Sequence, residues 1–148
     1  MSEPSRASNV HCVERVVADE DIDMLGHASN ISYVRWIQDA AIAHSTAVGL
    51  GVDAFRDLGA HFVVRRHEID YLRSALRDDV VTLETWIESW TGVTSLRRTR
   101  LVANGAEVAR AVTTWAFVDG ASGRPSRIPE RVRDAFLPAQ GEHGSAIG

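Results

Sequence analysis

The sequence predicts an α+β fold, in which one long helix is combined with several β-strands. Apolar residues recur near helical spacing over their longest stretch between Tyr33 and Val48. Four later segments have strand-like patterns, and Asn104-Gly105 between two of them is a strong signal for a tight type I′ hairpin turn. A valine-rich segment before the helix adds a fifth strand. We therefore expect a five-stranded, mostly antiparallel sheet packed against one central helix.

The first part of the chain predicts a strand, a loop and two helices. Ser29 or Asn30 can cap the start of the long helix, because their side-chain oxygens accept hydrogen bonds from first-turn N–H groups. Gly49 and Gly51 mark the end of this helix. Its alanine-rich face suits close packing against a sheet. The predicted ranges are a strand at Val10–Ala18, a loop at Asp19–Ser29 and a short second helix at Val52–Leu58.

The second part predicts four strands and a short terminal helix. The segment Glu107–Asp119 is apolar on both faces at its centre, which predicts an interior strand. Pro129 can begin the last helix, because proline is tolerated in a first turn. The predicted ranges are strands at His61–Leu72, Val80–Trp90, Ser95–Ala103 and Glu107–Asp119, and a helix at Pro129–Phe136.

These elements fit one domain within the 148 residues. We expect a disordered start at residues 1–9, a single domain at residues 10–137, and a flexible, glycine-rich tail at residues 138–148. One central helix cannot cover both faces of a five-stranded sheet, so the open face needs a partner. We expect a homo-oligomer, either a homodimer or a homotetramer.

Composition excludes several classes of partner. The formal net charge is −4, and no basic cluster stands out beyond Arg65-Arg66 and Arg97-Arg98, which argues against nucleic-acid binding. The single cysteine, Cys12, excludes an internal disulfide and a multi-cysteine zinc site, and its strand-like surroundings predict a buried structural thiol.

Hydropathy predicts no interaction with a membrane. No apolar run approaches the roughly 20 residues that a membrane-spanning helix needs. The segment Met1–Asn9 lacks the hydrophobic centre of a signal peptide. We therefore expect a cytoplasmic protein.

The segment directly before the long helix concentrates the chemistry-bearing residues. It contains two aspartates, Asp21 and Asp23, followed by Gly26 and His27. A carboxylate that folds back toward the first turn of a helix lies beside unpaired backbone N–H groups. Such a pairing of base or nucleophile with an oxyanion site suits acyl transfer. A purely structural role for Asp23, as the cap of a turn, remains open.

Other uses of this segment fit the residues less well. A calcium loop that begins at Asp19 needs glycine at its sixth position and glutamate at its twelfth, where Met24 and Asn30 stand. A metal site that uses His27 would need further ligands at close spacing, and none is evident. We therefore predict no metal. Asn30-Ile31-Ser32 matches a glycosylation acceptor only by accident in a cytoplasmic chain.

This segment resembles the active-site region of the hotdog-fold acyl-CoA thioesterases, in the branch typified by 4-hydroxybenzoyl-CoA thioesterase. The resemblance extends over nearly the whole chain, roughly from Val10 to Phe136. It implies a hotdog fold, in which a five-stranded antiparallel sheet wraps around one long central helix. The residues in register with the family pattern are Asp21, Asp23, Gly26, His27, Asn30 and Tyr33.

Carried over to this chain, the resemblance makes Asp23 the catalytic carboxylate, as nucleophile or as general base, and not Asp21. It places the amides that polarise the thioester carbonyl around His27, Ser29 and Asn30. The expected substrate-binding residues are Gly26, Tyr33, Trp36 and Phe62. The surface arginines that would hold the phosphates of coenzyme A are Arg65, Arg66, Arg97, Arg98 and Arg100.

The predicted activity is hydrolysis of an acyl-CoA thioester, with aromatic acyl groups among the candidates. Coenzyme A would then enter as part of the substrate, and no separate cofactor is expected. Many relatives have two asparagines in succession where this chain has Ser29-Asn30, which leaves the acyl specificity open. Two alternatives remain: an acyl-thioester hydratase or dehydratase on the same fold, and a non-catalytic acyl-CoA-binding module.

Overall fold

The computed structural model describes residues 6–138 and has the predicted α+β architecture. Five strands form one antiparallel sheet in the order β1-β3-β4-β5-β2, and the long helix α1 crosses one face of it. The strands are β1 His11–Val16, β2 Ala60–Tyr71, β3 Val80–Trp90, β4 Thr94–Ala103 and β5 Ala106–Asp119. The helices are α1 Asn30–Ala47, α2 Val52–Leu58 and α3 Glu130–Ala135, with a 3-10 turn at Asp19–Asp21.

Helix α1 begins at a serine cap and is held to the sheet by one apolar face. The N-cap residue is Ser29, whose side chain accepts a hydrogen bond from Ser32 N; Asn30 is the first helical residue. Trp36, Ile37 and Ala40 are buried against the sheet. Burying a large apolar side chain contributes about 1.5–3 kcal/mol. This packing fixes the orientation of the helix start.

The strand order follows from two hairpins, β3–β4 and β4–β5, and two crossovers, β1 to β2 and β2 to β3. The β4–β5 turn has positive φ at both Asn104 and Gly105, as the type I′ prediction requires. Strand β5 lies between β4 and β2, so the prediction of an interior strand is confirmed. Strands β1 and β2 are at opposite edges of the sheet, and the connection between them contains both α1 and α2.

The edge strand β2 pairs with β5 along one side, and its other side has no neighbouring strand among residues 6–138. It is twelve residues long, and Val63, Tyr71 and Leu72 are exposed large apolar residues on it or directly after it. A long, unpaired edge with apolar side chains favours pairing with another strand.

Three expectations are corrected or limited by the structure. Residues 7–9, expected to be disordered, are tied to the domain: Ser8 is buried and Ser8 Oγ accepts a 2.7 Å hydrogen bond from Ile87 N. Cys12 is exposed, because its side chain points to the face of the edge strand β1 that the helix does not cover. Residues 1–5 and residues 139–148 of the expected tail lie outside the described residues.

Within the described part of the chain, no helix is both long and apolar enough to cross a membrane. The expected cytoplasmic location is a separate question and stays a prediction. The same residues contain no group of three or more potential metal-ligating His, Cys, Asp or Glu side chains.

Candidate active site

The loop before α1 folds into a small hairpin that positions Asp23. Ile22 and Ala28 form an isolated antiparallel bridge, and Asp23 N donates a 3.0 Å hydrogen bond to His27 O. The turn closes when Gly26 N donates to Asp23 O. Gly26 has a φ of +86°, which disfavours any residue with a Cβ. The predicted role of Gly26 in binding substrate is thus accompanied by a definite conformational one.

The Asp23 carboxylate has one hydrogen-bonded oxygen and is partly exposed to solvent. Its Oδ1 accepts a 2.9 Å hydrogen bond from Leu25 N and lies 3.9 Å from His27 Nδ1. No residue in the range 6–138 donates a hydrogen bond to its Oδ2. The side chain is 34% exposed. One oxygen therefore anchors the carboxylate, and the other is available to a water or a substrate.

Asp21 has a different role from Asp23. It is buried, its Oδ2 accepts from Ala18 N at 2.9 Å, and its Oδ1 accepts from Ser32 Oγ at 2.8 Å. Its backbone oxygen accepts from Ser29 N at 2.8 Å. Asp21 thus binds the 3-10 turn to the first turn of α1, and both of its carboxylate oxygens are hydrogen-bonded in a buried position.

The start of α1 supplies backbone donors next to this hairpin. Among the residues that the structure describes, Asn30 N–H and Ile31 N–H have no hydrogen-bond partner, as expected for a helix start. The N–H of His27 is also unpaired within that range. The prediction that the Ser29 N–H polarises the carbonyl is wrong, because that N–H already donates to Asp21 O.

Tyr33 and Trp36 belong to the core of this chain rather than to an open pocket. Both are buried against the sheet. Tyr33 Oη donates to Arg73 O at 3.3 Å and accepts from Ala75 N at 3.0 Å. Burial raises the pKa of its phenol, so it stays protonated. Tyr33 therefore anchors the segment that follows β2 to α1, and its contact with substrate stays a prediction.

The arginines predicted to bind coenzyme A divide into three kinds. Arg98 pairs with Glu88, and Arg100 lies between Glu84 and Glu107, so both are neutralised on the outer face of the sheet. Arg65 and Arg66 are exposed on β2, beside an irregularity in its pairing with β5. The nearest acidic group to Arg66 is Glu68 at 3.6 Å, and Arg65 has no ion pair within residues 6–138. These two remain candidates for phosphate contacts.

Arg97 contradicts the prediction of a surface arginine. It is only 4% exposed, since it lies on the face of β4 that α1 covers. Its Nη1 donates to His44 Nδ1 at 2.9 Å and to Thr85 Oγ1 at 3.1 Å. The alternation of side chains along β4 could have predicted this burial, because Arg97 shares its face of the strand with the core residue Leu101. His44, at helical spacing from Ile37 and Ala40, was not singled out by the sequence.

A cavity of about 250 Å³ lies between the C-terminal half of α1, helix α2 and the sheet. Phe62 lines it together with Phe55 and Phe136, and its predicted contact with substrate stays a prediction. Its size is slightly below the roughly 300–1,000 Å³ of typical ligand pockets. The cavity and the Asp23 hairpin lie at opposite ends of α1 within the chain.

Comparison with known proteins identifies the family of this chain. The model of the thioesterase-like superfamily matches residues 17–136. The chloroplastic palmitoyl-acyl carrier protein thioesterase of Gossypium hirsutum is 31% identical over 120 residues, which is 75% of this chain and 29% of the relative. The acyl-CoA thioesterase YbgC of Haemophilus influenzae is 35% identical over 75 residues, covering 51% of this chain and 55% of that protein. The chain spans under a third of the length of the plant relatives.

Solved structures share the fold. A 4-hydroxybenzoyl-CoA thioesterase with an aspartate-to-asparagine mutation, in complex with 4-hydroxybenzoyl-CoA, superimposes with a TM-score of 0.81 at 20% identity. The match covers 86% of this chain and 98% of that one. An oleoyl thioesterase (putative) from Lactobacillus plantarum gives a TM-score of 0.83 at 18% identity, covering 87% of this chain and 51% of that chain. The predicted hotdog fold is confirmed.

Proposed function

Because the chain belongs to the thioesterase-like superfamily, we propose that it hydrolyses acyl-CoA thioesters to a free acid and coenzyme A, with Asp23 as the catalytic carboxylate. The observation that carries the proposal is an Asp23 carboxylate with one oxygen free of hydrogen bonds, on a hairpin that leads directly into a helix start whose Asn30 and Ile31 N–H groups are also unpaired among residues 6–138. A carboxylate and backbone donors at one helix start are what attack on a thioester carbonyl needs.

The reaction follows from these two groups. As general base, Asp23 takes a proton from water, and the oxygen of that water attacks the carbonyl carbon. The N–H groups at the helix start hold the oxyanion of the tetrahedral intermediate. The C–S bond then breaks and the thiolate of coenzyme A leaves. As nucleophile, the carboxylate attacks first and forms an anhydride, which water hydrolyses.

A homodimer completes this site in our proposal. The start of α1 lies at the Tyr71 end of β2, where the rings of Tyr33 and Tyr71 are 5.3 Å apart. The end of α1 leads to the Ala60 end, where Leu50 packs in the cluster that contains Ala60 and Phe62. Antiparallel pairing of two β2 strands about a two-fold axis sets the Ala60 end of one beside the Tyr71 end of the other.

In such a dimer, the cavity of one protomer lies on the side of the partner's Asp23 hairpin. The acyl group occupies the cavity, and the thioester lies between it and the partner's helix start. Arg65 and Arg66, on the same edge, are then placed to contact the phosphates of coenzyme A. The further association into a homotetramer stays a prediction.

Thiol release from short, long and aromatic acyl-CoAs tests the proposed activity. We expect Asp23→Asn to lower kcat at least 100-fold without changing the midpoint of thermal unfolding by more than a few degrees. Asp19→Asn is the matched control, because Asp19 is exposed in the same loop and its carboxylate forms an ion pair with exposed Arg77. This control should retain turnover.

Three results would contradict the proposal. Turnover by Asp23→Asn at the wild-type rate would remove the assigned catalytic residue. Binding of acyl-CoA without any thiol release by the wild type would favour the non-catalytic module, in which Asp23 only caps the turn through Leu25 N. Release of water-addition products in place of thiol would favour the hydratase alternative.

A further inference from the structure

The cavity beside α1 has an open apolar mouth and a buried floor. Its mouth is formed by Ile42 and Val52, which are 58% and 74% exposed. Ile87 and Phe136 at the other end are nearly inaccessible. A molecule that enters with its apolar body therefore brings its far end to this floor.

Arg97 lies at the buried end of the cavity. Both of its hydrogen bonds use Nη1, so Nη2 and Nε donate to no residue within 6–138. The Phe136 ring centroid is 5.8 Å from the guanidinium carbon. No carboxylate in the described range lies within 4 Å of Arg97. This cation is thus buried without an anion.

The neighbours of Arg97 keep its charge uncompensated. His44 Nδ1 accepts from Arg97, so the His44 proton is on Nε2, which faces Asn9 Oδ1 at 2.8 Å. Burial, and then the charge of Arg97, lower the pKa of His44 to about 3, so the ring is neutral. Burial lowers the pKa of Arg97 to about 9, which leaves the guanidinium charged at neutral pH.

A second unpaired donor belongs to the same cavity. Trp115 lines it, and its Nε1–H is buried without a hydrogen-bond partner among the described residues. Strand pairing places Trp115 opposite Ser95, two residues from Arg97. Buried polar groups left unpaired are costly, and a charged one more so. The walls around these donors are mainly apolar. An anionic oxygen that entered the cavity could accept hydrogen bonds from both donors.

We propose that this cavity accepts an acyl group that carries a carboxylate at the end remote from the thioester, and that Arg97 binds this carboxylate. The proposal rests on the proposed function for the identity of the ligand as an acyl thioester. It makes the preferred substrates mono-CoA thioesters of dicarboxylic acids. A planar guanidinium suits a carboxylate because its parallel N–H groups match the two oxygens.

The test compares substrates matched in length. Thiol release is measured for succinyl-, adipyl-, suberyl- and sebacyl-CoA against butanoyl-, hexanoyl-, octanoyl- and decanoyl-CoA. At the best length, we expect wild-type kcat/KM to be at least 10-fold higher for the carboxylated member. Arg97→Met should reverse the preference, because the carboxylate then enters an apolar site, while Arg97→Lys should retain part of it.

Arg110→Met is the matched control, since Arg110 is exposed on the outer face of the sheet near Glu107. It should leave the ratio of the two substrate classes unchanged. Equal kcat/KM for both classes in the wild type, or an Arg97→Met ratio equal to the wild-type ratio, would overturn the proposal. Thermal unfolding and circular dichroism of each variant show whether it is folded before the kinetics are compared.

Binding of free acids separates this proposal from the proposed function. Suberate and octanoate are titrated calorimetrically against wild type, Arg97→Met and Trp115→Phe. Suberate binding that Arg97→Met weakens at least 10-fold supports the anion site even if no thioester is hydrolysed. Suberate and octanoate binding with equal affinity would overturn it even if thiol release occurs. Trp115→Phe should weaken suberate binding by a smaller factor.

Discussion

The two aspartates before α1 show how environment assigns roles to identical side chains. Asp21 is buried, and its two carboxylate oxygens accept hydrogen bonds from Ala18 N and Ser32 Oγ. Hydrogen bonds to a charged group contribute about 1.5–3 kcal/mol each. Asp23 makes one such bond and is one-third exposed. Asp21 therefore contributes more to stability, and Asp23 is the carboxylate that is free for the catalytic role we propose.

His44 makes the stability of the fold depend on pH. Its pKa is lowered from 6.5 to about 3 by burial, by Arg97 and by His11, which stacks on it at 5.4 Å. Below pH 6.5 the unfolded chain therefore binds a proton that the folded chain does not. Stability falls as the pH drops from 6.5 toward 3, by up to about 1.4 kcal/mol per pH unit.

We expect this group to cost about 2 kcal/mol of unfolding free energy between pH 7 and pH 5. Urea unfolding of wild type and His44→Gln at pH 7, 6 and 5 measures it. Glutamine can accept from Arg97 and donate to Asn9 but does not titrate, so the contributions of the other histidines cancel in the difference. Parallel pH profiles for the two proteins would contradict the neutral, buried state of His44.

The residue scale is also where sequence-based prediction was weakest. Asp23 and Gly26 were proposed as site residues because their spacing in one short segment resembles the family pattern. Arg97 was assigned to the surface because its charge outweighed its position in an alternating strand. The Ser29 N–H was expected to bind the substrate carbonyl, but the fold of the hairpin brings Asp21 O to it as a hydrogen-bond acceptor. Such hydrogen-bond partners depend on tertiary contacts that a linear pattern does not contain.

At the scale of elements, the hairpin that carries Asp23 depends on one left-handed residue. Gly26 and Gly105 are both exposed glycines at the tips of turns, with φ of +86° and +75° and open space where a Cβ would lie. Replacing either by alanine should cost roughly 1–2 kcal/mol of stability through backbone strain alone. Gly105 is in the β4–β5 turn and does not line the cavity.

We expect Gly26→Ala to lower kcat for thiol release by at least 10-fold and Gly105→Ala to leave it within about two-fold of wild type. A displacement of only about 1 Å of the reacting groups can reduce the rate about 100-fold. Thermal unfolding should show similar losses for both variants. Equal kinetic effects would mean that the Gly26 hairpin does not position the catalytic carboxylate.

Element boundaries were predictable to a good degree for a physical reason. Strand β3, Val80–Trp90, and helix α2, Val52–Leu58, match the predicted ranges because turn residues flank both. The short bridge between Ile22 and Ala28 was missed inside a segment predicted as loop. A single pair of bridging residues has no periodicity to detect.

At the scale of the whole molecule, the unpaired edge of β2 and the apolar side chains near the start of α1 are exposed to solvent in the single chain. Met24, Leu25 and Ile31 are all exposed near the Asp23 hairpin. Apolar groups on both the edge strand and the helix start favour one continuous interface with a second copy. If the two protomers pair through β2, each catalytic site combines Asp23 from one chain with the cavity of the other.

Mixed dimers test this division of the site. Asp23→Asn removes the carboxylate, and Ser45→Trp blocks the cavity, which Ser45 lines; each variant alone should be inactive in thiol release. Refolding equal amounts together should restore about a quarter of wild-type activity, because half of randomly formed dimers are mixed and each has one intact site. Mixing the folded proteins without dissociation is the control and should restore nothing. Activity no higher than that of the separate variants after refolding would place Asp23 and its cavity in the same protomer.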